Sequence, residues 1–306
     1  MKTATVTIIT VNYNTRASIE KSIQIFDDYI IKDKIRFIVV DNSDDQHLAN
    51  LIETKYSKVQ YFSSLGNIGF GRGCNIGLEH VGTPYCLLLN PDAFINIDDL
   101  EIMISFMDTH YNAAFLGPCI HEPDGEFQMA GGLPTPYDII KVATGIGIPS
   151  STSSKRKILP CDPPFKTDWL SGSILLMRMD ALDEIGYFDP RYFLYFEETD
   201  LCRRLLNAGW EIWATGEAEG FHEKAGSTSS TKKLMYVGCI AEHYFQSRFY
   251  YMVKHHGWIR AIITDVIEYV FAPARWVYQF IRRKSGKERY VIRLRSPLLS
   301  LPKRKV

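Results

Sequence analysis

Val6-Thr-Ile-Ile-Thr-Val11 is the first of several apolar, β-branched runs that end at turn residues. Runs of this kind predict buried strands. The others occupy residues 35–40, 59–62 and 85–89. Between them the apolar residues have helical spacing, as at Ile19, Ile23, Phe26, Leu48, Leu51, Ile52 and Tyr56. Strands that alternate with helices predict an α/β fold with a mainly parallel central sheet.

Polar residues follow three of these predicted strands directly. They are Asn12 to Asn14, Asp41 to Ser43, and Asn90 to Asp92. In open α/β sheets, ligands bind beyond the carboxyl ends of the strands. We therefore expect these three groups to share one site.

Composition limits the class of protein. The chain has 306 residues, 46% of them hydrophobic, and a formal net charge of zero. Six cysteines are scattered without zinc-ligand or disulfide spacing, which favours a reducing cytosol. The apolar run near the N-terminus is too short for a signal peptide, and no apolar stretch is long enough to span a membrane.

The C-terminal part has a different composition. We expect a catalytic domain over residues 1–235 and a helical extension over 236–306, with a helix break at Pro273. Residues 144–166, rich in Gly, Ser, Lys and Pro, predict a loop over the site. Residues 282–306 contain ten Lys or Arg against the single acid Glu288.

One helical face of this extension is apolar. It comprises Ile259, Ile262, Ile263, Val266, Ile267 and Val270. Either the face packs on the main domain, or it lies in a membrane interface beside the basic tail. We favour contact with an anionic membrane surface, at the inner face of the cell membrane. The basic tail could instead bind nucleic acid, but so short a segment equally serves lipid, and we expect no nucleic-acid partner.

Single motifs leave their chemistry open. Asp41 ends a buried strand, where it could bind a base or ribose or simply form a turn. Asp92 follows Asn90-Pro, which ends a strand. It could hold Mg²⁺ or Mn²⁺, since such ions take one or two protein carboxylates and complete their shell with phosphate and water, or it could be solvated.

The glycine-rich segment at residues 66–77 lacks the dinucleotide-binding spacing after the first strand. Its backbone could approach phosphates with Arg72 as a cationic partner, or the glycines could serve tight helix packing. Glu197, Glu198 and Asp200 open a predicted helix, where they could act as caps or supply a general base. His222 lies in a Gly-Ser loop and could be structural, or contact a metal or phosphate.

Together these motifs resemble the inverting glycosyltransferases of family 2, in particular the rhamnosyltransferase-like branch. The motifs run in family order across roughly residues 4 to 230. They are Val11-Asn-Tyr-Asn14, Val39-Val-Asp-Asn-Ser43, Gly66-Asn-Ile-Gly-Phe70, Asn75-Ile-Gly77, Leu89-Asn-Pro-Asp-Ala93, Trp169-Leu-Ser-Gly-Ser173, Gly186-Tyr-Phe-Asp189, Phe196-Glu-Glu-Thr-Asp-Leu201 and residues 222–227.

The resemblance implies a GT-A fold and a set of site residues. Asp41 would contact the nucleobase, and Asp92 would bind the metal together with His222, although the first acid of the family's Asp-x-Asp motif is Asn90 here. The other residues implied in donor binding are Val11, Asn12, Asn14, Asn67, Arg72, Trp169, Ser171 and Gly172.

The resemblance also implies the reaction. Glu198 matches the family's catalytic base, with Asp200 as a rival, and the base would deprotonate an acceptor hydroxyl that attacks a nucleotide diphosphate sugar. The branch favours dTDP-L-rhamnose, with UDP-galactofuranose, UDP-hexose or UDP-N-acetylhexosamine as alternatives. The acceptor would be a saccharide or a polyprenyl-linked saccharide in cell-surface polysaccharide assembly.

Two other classes compete with this interpretation. A catalytically silent nucleotide- or glycan-binding protein would keep the fold but lack the acids, whereas this chain keeps Asp92, Glu198 and His222. A nucleotidyltransferase should carry a basic glycine-rich loop close to the first strand, where this chain has Asn12-Tyr-Asn-Thr15. The sequence leaves the oligomeric state open.

Overall fold

The computed structural model describes residues 4–144, 155–223 and 239–281. The chain divides into two units. The first comprises Met1–Gly132, Lys155–Phe193 and Glu197–Ala225, and the second Leu133–Ser154, Leu194–Phe196 and Gly226–Val306. The domain boundary predicted near residue 235 lies outside the described residues.

The elements alternate between strand and helix from β1 to β4, as predicted. In chain order they are β1 (Val6–Asn12), α1 (Arg16–Ile31), β2 (Ile35–Asp41), α2 (Gln46–Lys55), β3 (Gln60–Ser63), α3 (Phe70–Leu78), β4 (Tyr85–Leu89), β5 (Ala93–Ile95), α4 (Ile97–Thr109), β6 (Ala113–His121), β7 (Met129–Ala130), α5 (Pro136–Thr144), β8 (Arg156–Lys157), β9 (Phe165–Thr167), β10 (Ile174–Arg178), α6 (Met179–Ile185), α7 (Glu197–Asn207), β11 (Glu211–His222), α8 (Cys239–His256) and α9 (Trp258–Ile281).

The main sheet has nine strands within the described part of the chain, in the order β3-β2-β1-β4-β10-β6-β11-β5, with β9 paired to β11. Strands β1 to β4 are parallel, and β6 is parallel to β11. Strand β10 lies between β4 and β6 and is antiparallel to both. The six strands β1, β2, β3, β4, β6 and β11 therefore run in one direction, which confirms the predicted mainly parallel α/β sheet.

The core lies between the sheet and helices α1, α2 and α4. Alternate residues of β1 and β2, such as Ile8 and Phe37, pack with Ile23 and Phe26 of α1 in one buried cluster. The helical stripe predicted at Leu48 and Ile52 joins the same cluster. Burial of this apolar surface is the main stabilising contribution.

Helix α3 packs tightly against β1 because its glycines lack side chains. A Cβ atom at Gly77 would lie 2.8 Å from Ile9 Cγ2, and one at Gly73 would lie 2.9 Å from Val11 Cγ1. Close helix–sheet packing, one of the two alternatives left open by the sequence, therefore accounts for these glycines. Gly69, at the start of the helix, has φ +96°, a conformation that side chains disfavour.

The predicted loop at residues 144–166 differs from the structure in part. Residues 145–154 lie outside the described residues, but residues 156–157 form β8 and Phe165–Thr167 forms β9. The backbone N–H of Cys161 donates to the Gly216 carbonyl at 2.7 Å, and that of Gly216 to the Asp162 carbonyl at 2.8 Å. Residues 161–167 are therefore bonded to β11, and β8 is bonded to β7, although the Pro-rich composition predicted a loop.

The second unit contains α5, α8 and α9. The helix break predicted at Pro273 is wrong, because α9 continues from Trp258 to Ile281. The break falls at Gly257, whose φ of +85° ends α8 in a left-handed conformation that favours glycine. A partly buried ion pair between Arg248 and Glu268 joins α8 to α9.

Candidate active site

The carboxyl ends of β1 and β2 meet at one edge of the sheet, as the strand alternation predicts. Asn12 pairs with Asp41 in the parallel register. The Asn12 amide donates to Asp41 Oδ1 at 2.7 Å and to Ser43 Oγ at 2.8 Å. Val11 is also buried, whereas Asn14 is exposed with φ 59°. Two of the predicted donor-binding groups thus form one network.

Asp41 is fully buried and fixed by several donors. Its Oδ1 accepts from Asn12 and from the backbone N–H and hydroxyl of Ser43. Its Oδ2 accepts from the Asp45 backbone N–H at 2.7 Å and from the Tyr61 hydroxyl at 2.9 Å. Burial alone would raise the pKa of Asp41, but these hydrogen bonds outweigh burial and lower it. The carboxylate is therefore ionised and held rigidly at the strand end.

The glycine-rich segment, which contains Asn67 and Arg72, follows β3 in the chain. Asn67 Oδ1 accepts from the Gly69 backbone N–H at 3.0 Å, which shapes the turn before α3. Arg72 is exposed, and its Nε donates to the Pro190 carbonyl at 2.6 Å. Asn42 connects the two regions, because its amide donates to the Gly69 carbonyl at 3.0 Å.

The predicted metal ligands lie side by side. Strand β5 pairs with the end of β11 so that Ala93 lies opposite His222. His222 Nε2 lies 3.2 Å from Asp92 Oδ1, and Nδ1 lies 3.4 Å from Glu122 Oε2. Burial would lower the pKa of His222, but the two carboxylates raise it to about 9. The imidazole is thus held between two acids.

Asp92 and the neutral form of His222 would suit a divalent cation, whose binding would displace the imidazole proton. Within residues 4–144, 155–223 and 239–281, no group of three or more His, Cys, Asp or Glu side chains is arranged as a metal site. Two protein ligands are enough for Mg²⁺ or Mn²⁺ when phosphate oxygens and water supply the rest. Beside Asp92 in the chain, Asn90 Oδ1 is buried and has no hydrogen-bond partner among the described residues. A buried acceptor of this kind is costly unless a ligand satisfies it.

The three carboxylates of α7 have different environments. Asp200 is fully buried, with its Oδ2 2.9 Å from Arg204 Nε. Glu197 is buried, and its Oε2 has no hydrogen-bond partner in the part of the chain that the structure describes. Burial together with the Glu198 charge raises the pKa of Glu197 well above the ordinary value. Glu198 is only partly exposed, and burial raises its pKa to about 7.

The small-residue segment at 169–173 connects the start of α7 with the end of β4. A Cβ at Gly172 would lie 4.0 Å from Glu198 Cβ, and the Ser173 carbonyl accepts from the Asn90 backbone N–H at 2.8 Å. Trp169 Nε1 donates to Thr199 Oγ1 at 3.0 Å. Glu198 and the Asn90–Asp92 strand end therefore contact the same five-residue segment.

Sequence reasoning missed several side chains of this site. Glu122 contacts His222, and Gln128 donates to Ser173 Oγ at 2.8 Å. Ser171 Oγ lies 3.4 Å from Ser173 Oγ, at the limit of a hydrogen bond. The signal for Glu122 was its position after the buried run at residues 113–121, the same strand-end pattern that identified Asp41 and Asp92.

Comparison with known families agrees with this arrangement of motifs. The sequence profile of the family described as Glycosyl transferase family 2 matches residues 7–186, more than half of the chain. The chain belongs to glycosyl transferase family 2. The resemblance stated from its motifs is confirmed, and this family 2 member is a glycosyltransferase.

Curated relatives place the family 2 chain among sugar transferases of the rhamnosyltransferase-like branch. It is 26% identical over 262 residues to the N-acetylglucosaminyl-diphospho-decaprenol L-rhamnosyltransferase of Mycobacterium tuberculosis, which covers 79% of each chain. It is 30% identical over 184 residues to the rhamnosyltransferase WbbL of Escherichia coli, covering 57% of this chain and 67% of that protein.

A solved structure confirms the GT-A class of fold. The mannosyltransferase PcManGT of Pyrobaculum calidifontis, in complex with GDP-Man and Mn²⁺, superposes with a TM-score of 0.55 at 13% identity. The match covers 94% of this chain and 77% of that one. At this identity the likeness concerns the fold.

Proposed function

We propose that this glycosyltransferase inverts the anomeric carbon of a nucleotide diphosphate sugar, with Glu198 as the general base. The observation that carries the proposal is the position of Glu198. Its Cβ lies 4.0 Å from a Cβ atom built on Gly172. The next residue, Ser173, accepts a hydrogen bond from the backbone N–H of Asn90, at the strand end that leads to Asp92. A base works best when its pKa lies near the operating pH, and burial raises that of Glu198 to about 7.

Asp200, the rival base, has a structural role in this proposal. Its carboxylate is fully buried and pairs with Arg204, which also donates to the Ile185 carbonyl at 3.0 Å and the Gly186 carbonyl at 2.8 Å. Asp200 and Arg204 thus join α7 to the end of α6. A carboxylate engaged in this way is poorly placed to accept a substrate proton.

The donor would occupy the sheet edge, with its base near Asp41 and its diphosphate near Asp92. We propose that Asn12, Asn14 and Asn67 border the nucleoside, with Arg72 beside the phosphates. Trp169, Ser171 and Gly172 would border the sugar, next to Glu198. Asp92 and His222 would hold Mg²⁺ or Mn²⁺, which when bound neutralises the leaving diphosphate.

The reaction is then a direct displacement, which needs no covalent enzyme intermediate. Glu198 accepts the proton of an acceptor hydroxyl, whose oxygen forms a bond to the anomeric carbon. The bond from that carbon to the diphosphate oxygen breaks, and the nucleoside diphosphate leaves.

We propose dTDP-L-rhamnose as the donor and a polyprenyl-diphosphate-linked saccharide as the acceptor. The support comes from relatives named as rhamnosyltransferases, one of which acts on a decaprenol-linked N-acetylglucosamine by its name. UDP-galactofuranose and UDP-hexoses are the alternatives to be tested.

A membrane-bound acceptor agrees with the surface of α9. This helix has an inverted pattern of burial: Thr264 and Asp265 are buried, whereas Ile259 is 76% exposed and Val270 63% exposed. Within residues 258–271, the part of α9 whose side chains are described, the other exposed apolar side chains are Trp258, Ile262, Ile263, Val266, Tyr269 and Phe271. No helix among the described residues is long and apolar enough to cross a membrane.

The occupant that fits this face is the surface of an anionic bilayer. Interfacial helices bury an apolar face at the headgroup boundary, and the ten basic residues that follow α9 in the sequence are attracted to anionic lipid. We propose peripheral binding at the inner face of the cell membrane.

The test compares Glu198→Gln with Asp200→Asn in transfer assays and in donor binding by calorimetry. We expect Glu198→Gln to bind donor normally and to lose transfer by at least a hundredfold, since general base catalysis contributes about 10² to 10⁴. Normal transfer by Glu198→Gln, with inactive but folded Asp200→Asn, would overturn the assignment.

Thermal stabilisation by dTDP-sugars but not by UDP-sugars, in the presence of Mn²⁺, would support dTDP-L-rhamnose as the donor, and the reverse result would support a UDP-sugar.

A further inference from the structure

The two residues before α7 have an unusual backbone. Tyr195 and Phe196 both have φ 69°, in the left-handed region that non-glycine residues rarely adopt. Two such residues in succession require surrounding contacts that hold them. Glu197 and Glu198 follow immediately, so the conformation of this pair sets the direction in which α7 begins.

Contacts from α8 hold this segment. The Ser247 hydroxyl donates to the Leu194 carbonyl at 2.9 Å. The Phe196 ring packs against Tyr244 and Tyr251, with ring centroids 5.5 Å away in both cases, and Tyr195 packs edge-on against Tyr244 at 5.8 Å. Tyr251 is fully buried, and Phe196 is only 9% exposed. The Ser247–Leu194 hydrogen bond and this aromatic cluster thus help to anchor the segment.

We propose that Ser247, Tyr244 and Tyr251 of α8 are positioning residues for the catalytic base, acting through the left-handed pair Tyr195–Phe196. The inference rests on the proposed role of Glu198 and extends it to the C-terminal helices. A general base must reach within about 3 Å of its proton, and a displacement of about 1 Å can cost a hundredfold in rate. The backbone two residues before Glu198 is therefore a sensitive point of control.

The other end of the segment has a separate anchor. The Phe193 carbonyl accepts from the Phe70 backbone N–H at 3.0 Å, at the start of α3. With this anchor intact, loss of the α8 contacts should release Leu194–Phe196, while the sheet edge that is proposed to bind the donor keeps its geometry. Donor binding and catalysis should therefore respond differently to substitutions in α8.

The test uses Ser247→Ala, Phe196→Ala and Phe196→Tyr, with Phe249→Ala as the matched control. Phe249 lies on α8 but packs its ring against Trp258, so its removal perturbs the same helix elsewhere. We expect Ser247→Ala and Phe196→Ala to lower kcat between tenfold and a hundredfold, with donor KM changed less than about twofold. Phe196→Tyr, which keeps the ring, should restore kcat.

The pH dependence of kcat supplies a readout that simple destabilisation would not move. Release of the segment exposes Glu198, so the acid limb of the profile should shift to lower pH in Ser247→Ala and stay in place in Phe249→Ala. Native kcat and acid limb in Ser247→Ala and Phe196→Ala would overturn the inference, as would an equal loss in Phe249→Ala. Activity of Glu198→Gln would instead overturn the proposed base, so the two failures are distinguishable.

Discussion

Three carboxylates within four residues of α7 differ in what surrounds them. Asp200 forms an ion pair with Arg204, and Glu198 lies beside Gly172. Glu197 is buried, and its Oε2 has no hydrogen-bond partner within the described ranges. The thiols of Cys74 and Cys202 also interact with Glu198, and burial raises the pKa of both, so they stay neutral. Glu198 is thus the carboxylate that can exchange a proton near neutral pH.

We predict that kcat rises with pH through about 7 as Glu198 ionises.

The same raised pKa affects stability, because the folded state binds this proton more tightly than the unfolded state. Its stabilising contribution is present below the ordinary pKa near 4.5 and is lost as pH rises through about 7. Glu198→Gln should therefore gain about 2–4 °C in melting temperature over the native protein at pH 8, and less at pH 5.

Scanning calorimetry of both proteins at several pH values checks this expectation. Glu126→Gln is a suitable control, because Glu126 is exposed and pairs with Lys157 at the surface. A melting difference for Glu198→Gln that does not grow with pH would contradict the raised pKa.

A second prediction concerns Asp200. Asp200→Asn leaves Arg204 without its carboxylate in a mostly buried position, which should cost about 2–4 kcal/mol of unfolding free energy. Asp28→Asn removes an exposed partner of Lys32 and should cost less than about 0.5 kcal/mol. Urea denaturation measures both, and equal stability of the two variants would argue against the structural role of Asp200.

The packing of α3 on β1 gives a prediction for a whole element. Gly77→Ala places a methyl group 2.8 Å from Ile9 Cγ2 in the core and should cost about 1–3 kcal/mol, because overpacking forces side chains or backbone to shift. Gly172→Ala has no atom nearer than 3.8 Å and should keep native stability. Thermal unfolding separates the two, and a destabilised Gly172→Ala would contradict the described geometry.

Helix α9 makes a prediction about lipid. Ile263→Glu places a charge on the exposed apolar face, where Ile263 is 47% exposed, and should reduce sedimentation with anionic vesicles at least fivefold without changing the melting temperature. Ile102→Glu, at a 40% exposed apolar position of α4, is the control. Native vesicle binding by Ile263→Glu, or an equal loss in Ile102→Glu, would exclude α9 as the binding face.

At the scale of the whole molecule, the sequence predicted the features that arise from periodicity. Parallel strands bring their carboxyl ends to one edge, so the pattern of apolar runs is enough to group Asn12, Asp41 and Asn90 at one site. The proximity of Asp92 to His222 depended on the family resemblance, because 130 residues separate them.

The sequence did not predict features that depend on tertiary packing. The insertion of β10 between β4 and β6 leaves no local signal, since a buried antiparallel strand is as apolar as a parallel one. The apolar periodicity of α9 predicted an apolar helix face. It did not predict that this face is exposed while Thr264 and Asp265 are buried. The helix break lies at Gly257 and not at Pro273. Gly257 adopts the left-handed conformation that ends α8, whereas α9 continues through Pro273.

Strand β11 has a practical consequence for work with fragments. It begins at Glu211, beyond the residues 7–186 that match the family profile, yet it pairs with β5, β6 and β9 and ends at His222. A recombinant piece cut at the profile boundary would present β6 as a bare, apolar sheet margin, the kind of margin on which chains stack into aggregates. Expression should therefore extend past Glu223 if soluble material is wanted.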